Sequence, residues 1–162
     1  MAKALDKPSL YDLDYVAWLE EQAAHLRAGR LSALDVENVA EELESLMKSQ
    51  RQQLENRLEV LILHLLKCDH QPEQRSNRWR ASVAGQRGRI RRLLRDSPSL
   101  KGSMEEAARE VYPEAVEQAA IETQLSESAF PSALPYSVEQ IFERKLATED
   151  LPEQRLTRKK HP

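Results

Sequence analysis

Three residues near the middle of the chain, His64, Cys68 and His70, have side chains that bind metals or move protons. His64 and Cys68 stand one helical turn apart, so on a helix both point the same way and can share a zinc ion with His70. A fourth ligand would have to come from Asp69 or a distant carboxylate, and three ligands without a complete motif are common. The plainer alternative is a histidine bonded to a neighbouring helix and a lone cysteine filling the core. A second constellation, Glu37, Glu41 and Glu44, runs at i, i+4 and i+7 along one helix flank, with Glu42 turned away. Bundles that hold divalent metals use inward-facing carboxylates, frequently with a Glu-x-x-His pair. Here no histidine follows any of these glutamates by three, and the row flanks an apolar stripe. That arrangement fits a solvated or arginine-paired flank.

The third constellation is basic. Arg75, Arg78, Arg80, Arg87, Arg89, Arg91, Arg92 and Arg95 fall within 21 residues that contain no acid. Guanidinium groups grip phosphates with charge and bidentate geometry. These arginines surround most of a helix instead of forming one face, aromatics are only 5%, and the net charge is −3. A basic footprint of that kind is weak evidence for nucleic acid. Pairing with Glu37, Glu41, Glu44, Glu105, Glu106 and Glu110 on neighbouring helices is expected instead. Nothing matches a phosphate loop, a nucleophile elbow, an HExxH zinc motif or a dinucleotide fingerprint.

The elements that must position these residues are helical. Four glycines and few aromatics in 162 residues leave little sign of sheet. Leu34 to Cys68 contains no Gly or Pro, and Val36, Val39, Ala40, Leu43, Leu46, Met47, Leu54, Leu58, Leu61 and Leu65 keep one phase along it. The spacing predicts one unbroken helix from about Asp35 to Leu66, with a polar soft spot at 48–53. Between Leu58 and Leu66 it is apolar on every face, the mark of a buried helix. Three amphipathic helices are expected to leave part of that surface for a second copy or a partner helix.

Around it, Asp12 or Asp14 caps a first helix to Ala28, with Gly29 just past its end. Its face of Tyr11, Tyr15, Trp18, Leu19 and Leu26 is expected to fold back on the long helix. A third helix, 76–95, buries Trp79, Val83, Ile90, Leu93 and Leu94; its Gly85 and Gly88 weaken it by ~1 kcal/mol each against alanine or, alternatively, allow a close backbone approach. Ser103 with Glu106 predicts a capping box for a fourth helix kinked at Pro113, and Ser137 with Gln140 predicts another for a short fifth. Phe130, Leu134 and Tyr136 are expected to pin the link at 124–136. The result is an all-α, up-and-down bundle of four main helices plus a short C-terminal one. It forms a single domain over 10–146, between a flexible N-terminus (1–9) and a disordered tail (147–162).

Six stretches together carry a resemblance: LYDLDYVAWLEEQ (10–22), LDVENVAEELESL (34–46), LILHLLKC (61–68), QRSNRWRASVAGQRGRIRRLL (74–94), DSPSL (96–100) and FPSALPYSVEQIF (130–142). On these the chain resembles a bacterial family known as domain of unknown function 29, over about residues 10–146. The resemblance implies an all-helical domain and no established activity, cofactor or catalytic residue. Aromatics usually stand in that family where this chain has Cys68 and His70, which argues against a family-wide role for the pair.

A lone cysteine, no signal-like N-terminus and no run near the roughly 18 apolar residues of a membrane span point to a soluble cytoplasmic protein. No cofactor and no membrane association are expected, and the balance is against an enzyme. An interaction module, homo-oligomeric or binding a partner helix, ranks first. A nucleic-acid-binding or regulatory module using the arginine helix ranks second, and a metal-dependent hydrolase built on the glutamate row and His64 third.

Overall fold

With neither glycine nor proline to interrupt it, Val36–His70 forms one helix of 35 residues, α3. Continuity through the polar stretch 48–53 matches the phase of its apolar stripe. In the computed structural model residues 9–146 are described, so the expectations for residues 1–8 and for the tail from 147 fall outside them. Six further α-helices occur among these residues: α1 (Leu10–Leu13), α2 (Tyr15–Arg27), α4 (Asn77–Asp96), α5 (Met104–Glu110), α6 (Tyr112–Thr123) and α7 (Val138–Glu143). The fold is all-α, with no strand among the described residues. The chain divides into two compact units, Met1–Gln50 and Arg51–Pro162.

In the first unit, Ser9 caps α1 and Asp14 caps α2, each accepting from a backbone N–H three residues on. Gly29, at φ +67°, takes the left-handed conformation that lets the chain turn after α2. Helix α2 then lies antiparallel to the start of α3. The Asp35 amide donates to Gln22, and the tyrosines a turn or more earlier, Tyr11 and Tyr15, reach Glu42.

In the second unit the apolar end of α3 is walled in by α4, α5, α6 and the C-terminal segment. Leu58, Leu61, Ile62, Leu65, Leu66 and Cys68 are each fully buried. The expected surplus apolar surface at Leu58–Leu66 therefore does not exist: Leu100, Met104, Tyr112, Phe130, Tyr136 and Ile141 share its core. Ser103 and Ala107 meet Leu54 at one end of the unit, and Thr123 meets Gln71 at the other. So α5–α6 runs parallel to this part of α3, and α4 returns between them.

Three local expectations are corrected. Ser103 makes no cap; it ends a 3₁₀ turn (Pro98–Ser103), and its hydroxyl donates to the Leu100 carbonyl. Pro113 does not kink a long helix but sits in the first turn of α6, where a missing N–H costs least. A Cβ at Gly85 or Gly88 would meet nothing within 4 Å, so neither glycine serves a close approach. The Ser137–Gln140 capping box is present, and the buried Phe130 and Tyr136 do pin the link.

Asp69 fastens the C-terminal segment to α3. It accepts two bonds from Arg144, at 2.6 and 2.7 Å, and one from the Tyr136 hydroxyl at 2.8 Å. Burial, followed by the neighbouring Asp69 carboxylate, pushes the Tyr136 hydroxyl far above its ordinary pKa.

Truncating Leu61 to alanine should cost ~2–5 kcal/mol, since the cavity would lie in a core with no exposed edge. Equilibrium urea denaturation reads this directly, and an unchanged midpoint would contradict the central position of Leu61.

Candidate functional site

The structure separates the residues singled out for metal chemistry. His70 donates through Nδ1–H to the Leu66 carbonyl at 2.9 Å, and its ring lies 4.6 Å from that of Phe130. Cys68 is fully buried, and burial pushes its thiol pKa up, away from the reactive thiolate. Glu37, Glu41 and Glu44 are exposed on the first half of α3, in the other unit from His64. No group of three or more His, Cys, Asp or Glu among the described residues is placed to hold a metal ion.

The arginines of the basic segment 75–95 do not pair with the expected glutamates among the described residues. Arg75 donates to the Cys68 carbonyl at 2.7 Å, and Arg87 to the Ile141 carbonyl at 2.8 Å. Arg91 pairs with Glu143 at 3.1 Å, and Arg95 with its neighbour Asp96 at 3.3 Å. Part of the basic segment thus acts as a clamp on α7, by donating to its backbone carbonyls. Arg78, Arg89 and Arg92 are exposed, and Arg80 is half-buried.

His64 instead lines a cleft of 470 Å³ with Lys67, Arg78, Trp79, Ser82 and Glu122. Lys67 is only 4% exposed, in a stretch of α3 that is otherwise apolar, and a charge there needs a partner. Its ammonium bonds the Glu122 carboxylate from α6 and lies 4.3 Å above the Trp79 ring. His64 Nδ1 is buried without a hydrogen-bond partner among the described residues. Burial, followed by the Lys67 charge, holds the His64 pKa below its ordinary 6.5, so the ring is neutral at neutral pH. Sequence reading found His64 but missed Lys67, Trp79 and Glu122 as its companions. The available signal was a lysine between Leu66 and Cys68, in a run that is buried on every face.

A second feature belongs to the first unit. The stripe that is buried beyond Leu54 is exposed before it: Val36 (66%), Leu43 (62%), Leu46 (62%) and Met47 (51%) lie open along α3. Helix α2 does not cover them, because it binds the adjacent polar side of α3. Trp18 Nε1 donates to Asp35, while Tyr11 and Tyr15 donate to the two oxygens of Glu42 at 2.6 and 2.5 Å. The three rings pack edge-on and stacked within 6.0 Å of one another. Leu19 and Leu26, expected against α3, are exposed.

These features define an all-α protein with an apolar face on one unit and a polar cleft in the other. The chain belongs to the family described as Domain of unknown function DUF29, whose model matches residues 10–147. No curated protein and no solved structure matches it. No helix among the described residues is long and apolar enough to cross a membrane.

The tyrosine–glutamate clamp should give the first unit a two-sided pH dependence. Hydrogen bonds from Tyr11 and then Tyr15 lower the Glu42 pKa. A carboxylate with a lowered folded-state pKa adds stability above its unfolded pKa, and that stability is lost as pH falls through the folded value. The Tyr11 hydroxyl is pushed up to about 12 from an ordinary 10.0, chiefly by its bond to Glu42. Its contribution is full below pH 10 and is lost as pH rises toward about 12. Thermal melts across pH should show wild type ahead of Glu42→Gln at neutral pH, with the margin vanishing in acid. An equal margin at acid pH would rule out the ionised clamp.

Proposed function

We propose that the protein is an interaction module whose first unit binds an amphipathic helix with basic flanks. The single observation that carries this reading is the exposed apolar row on α3, Val36, Leu43, Leu46 and Met47. A contiguous apolar face rimmed by charge is the usual form of a protein-binding groove or stripe. On a helical projection Glu37, Glu41 and Glu44 border this row on the side opposite the clamped α2. A partner helix lying on the row would place its own flank beside those three carboxylates, so lysine or arginine there is favoured. A second copy of the chain fits less well. Two-fold symmetry sets a patch against itself, and that would bring two acidic rows together.

The test uses two synthetic helices with the same leucine face, one flanked by lysine and the other by glutamate. In fluorescence-anisotropy titrations the lysine-flanked peptide should bind and the glutamate-flanked one should not. The double variant Leu43→Asp, Leu46→Asp should weaken binding at least about fivefold while leaving the melt unchanged, since both side chains are exposed. Equal binding by variant and wild type would overturn the proposal. A dimer in sedimentation that the same variant dissolves would put a second copy on the row instead. Binding of mixed-sequence DNA near physiological salt, lost in Arg89→Gln, Arg92→Gln, would favour the nucleic-acid alternative.

A further inference from the structure

We infer that the cleft between α3, α4 and α6 is a binding site for a small organic oxyanion, held by its carboxylate or phosphoryl group. The lining is rich in donors and poor in free acceptors. Lys67, Arg78, Ser82 and His64 all offer N–H or O–H groups, while the one carboxylate, Glu122, is already bonded to Lys67. Among the described residues the side chain of Arg78 makes no hydrogen bond or ion pair, unlike those of Arg75, Arg87, Arg91 and Arg95. Its guanidinium presents the planar fork that matches a carboxylate or phosphoryl edge. Ser82 stands four residues on, one turn along α4, so its hydroxyl lies on the side of the helix that Arg78 occupies.

The remaining walls set the class of ligand. Lys67 is held in place by Glu122 and by the Trp79 ring, so any N–H it offers the cleft is already ordered. His64, neutral and with Nδ1 unpartnered, can donate or accept but brings no positive charge of its own. A volume of 470 Å³ exceeds what a bare ion fills and falls within the range of small-molecule pockets. With the Lys67–Glu122 pair compensated, Arg78 leaves the lining with one net positive charge, which disfavours a cation, and the single carboxylate disfavours a metal ion. The inference is independent of the proposed helix-binding role, because every lining residue belongs to the Arg51–Pro162 unit.

Calorimetric titration of the full chain with inorganic phosphate and with benzoate separates the two sources of the oxyanion. Saturable binding of either probe is expected, with Kd at or below about 1 mM. Saturation by phosphate alone would assign a phosphoryl ligand, and by benzoate alone a carboxylate. Arg78→Gln should weaken binding at least about tenfold, with an unchanged circular-dichroism melt because Arg78 is exposed. Arg92→Gln, on the same helix but outside the cleft, serves as the control and should bind as wild type does. The His64 ring resonances should move on saturation in wild type and not in Arg78→Gln. Failure of both probes to saturate, or equal losses in the Arg78 and Arg92 variants, would overturn the site. The Leu43 and Leu46 variants should not affect this titration.

Discussion

Half of one helix has to be kept dry over most of its circumference, and the unit from Arg51 onward is arranged to do it. An amphipathic helix needs one neighbour; a segment such as Leu58–Cys68, in which every side chain is buried except the half-buried Glu59, Val60 and His64, needs several. Helices α4 and α5–α6 supply the broad walls. The link through Phe130 and Tyr136 closes the gap that helices leave, and α7 seals the remainder. Asp69 and Arg87 are the fastenings. One anchors Tyr136 and Arg144 to the end of α3, and the other ties α4 to the Ile141 carbonyl. Lys67 is the one charged residue inside this dry zone, and a partnerless ammonium there would be costly. Glu122 and Trp79 follow from that need, and the cleft forms where they meet.

The same stripe meets the opposite fate before Gln50. There the neighbour, α2, attaches through hydrogen bonds to Asp35 and Glu42, groups that lie beside the stripe. Three aromatic rings share that polar contact, and their hydroxyl and indole groups decide where the ring faces come to rest. A helix that docks by polar groups leaves its host's apolar row uncovered. The contrast along one continuous element explains why apolar surface is absent where composition suggested it and present where it did not.

Much of the fold was readable because its signals are local. The phase of the stripe gives α3 its length, and Asp14, Gly29, Ser137 and Gln140 mark ends at which the cap bonds do form. The failures share a cause: each depends on which of two adequate partners wins. Ser103 can cap a helix or close a 3₁₀ turn, and the proline at 98 tips it toward the turn. Val36 and Leu43 suit a neighbour, but Glu42 recruits it first. The cleft was the least legible, since Lys67 and Glu122 are 55 residues apart and no spacing rule connects them. The arginines were misassigned because carboxylates were assumed as their partners. Three of them, Arg75, Arg87 and Arg91, reach main-chain carbonyls, which every sequence offers and none advertises.

Gly85 and Gly88, with open space where a side chain would go, have a consequence for motion. They put the weakest stretch of α4 one turn beyond Ser82, just past the wall that Arg78, Trp79 and Ser82 form. Each glycine lowers the helical preference of that stretch by ~1 kcal/mol relative to alanine. Amide protons there should exchange with solvent through local opening well before those of α3, whose release requires the core itself to come apart. The cleft is then bounded on one side by a helix of lowered intrinsic preference and on another by one fixed in the core.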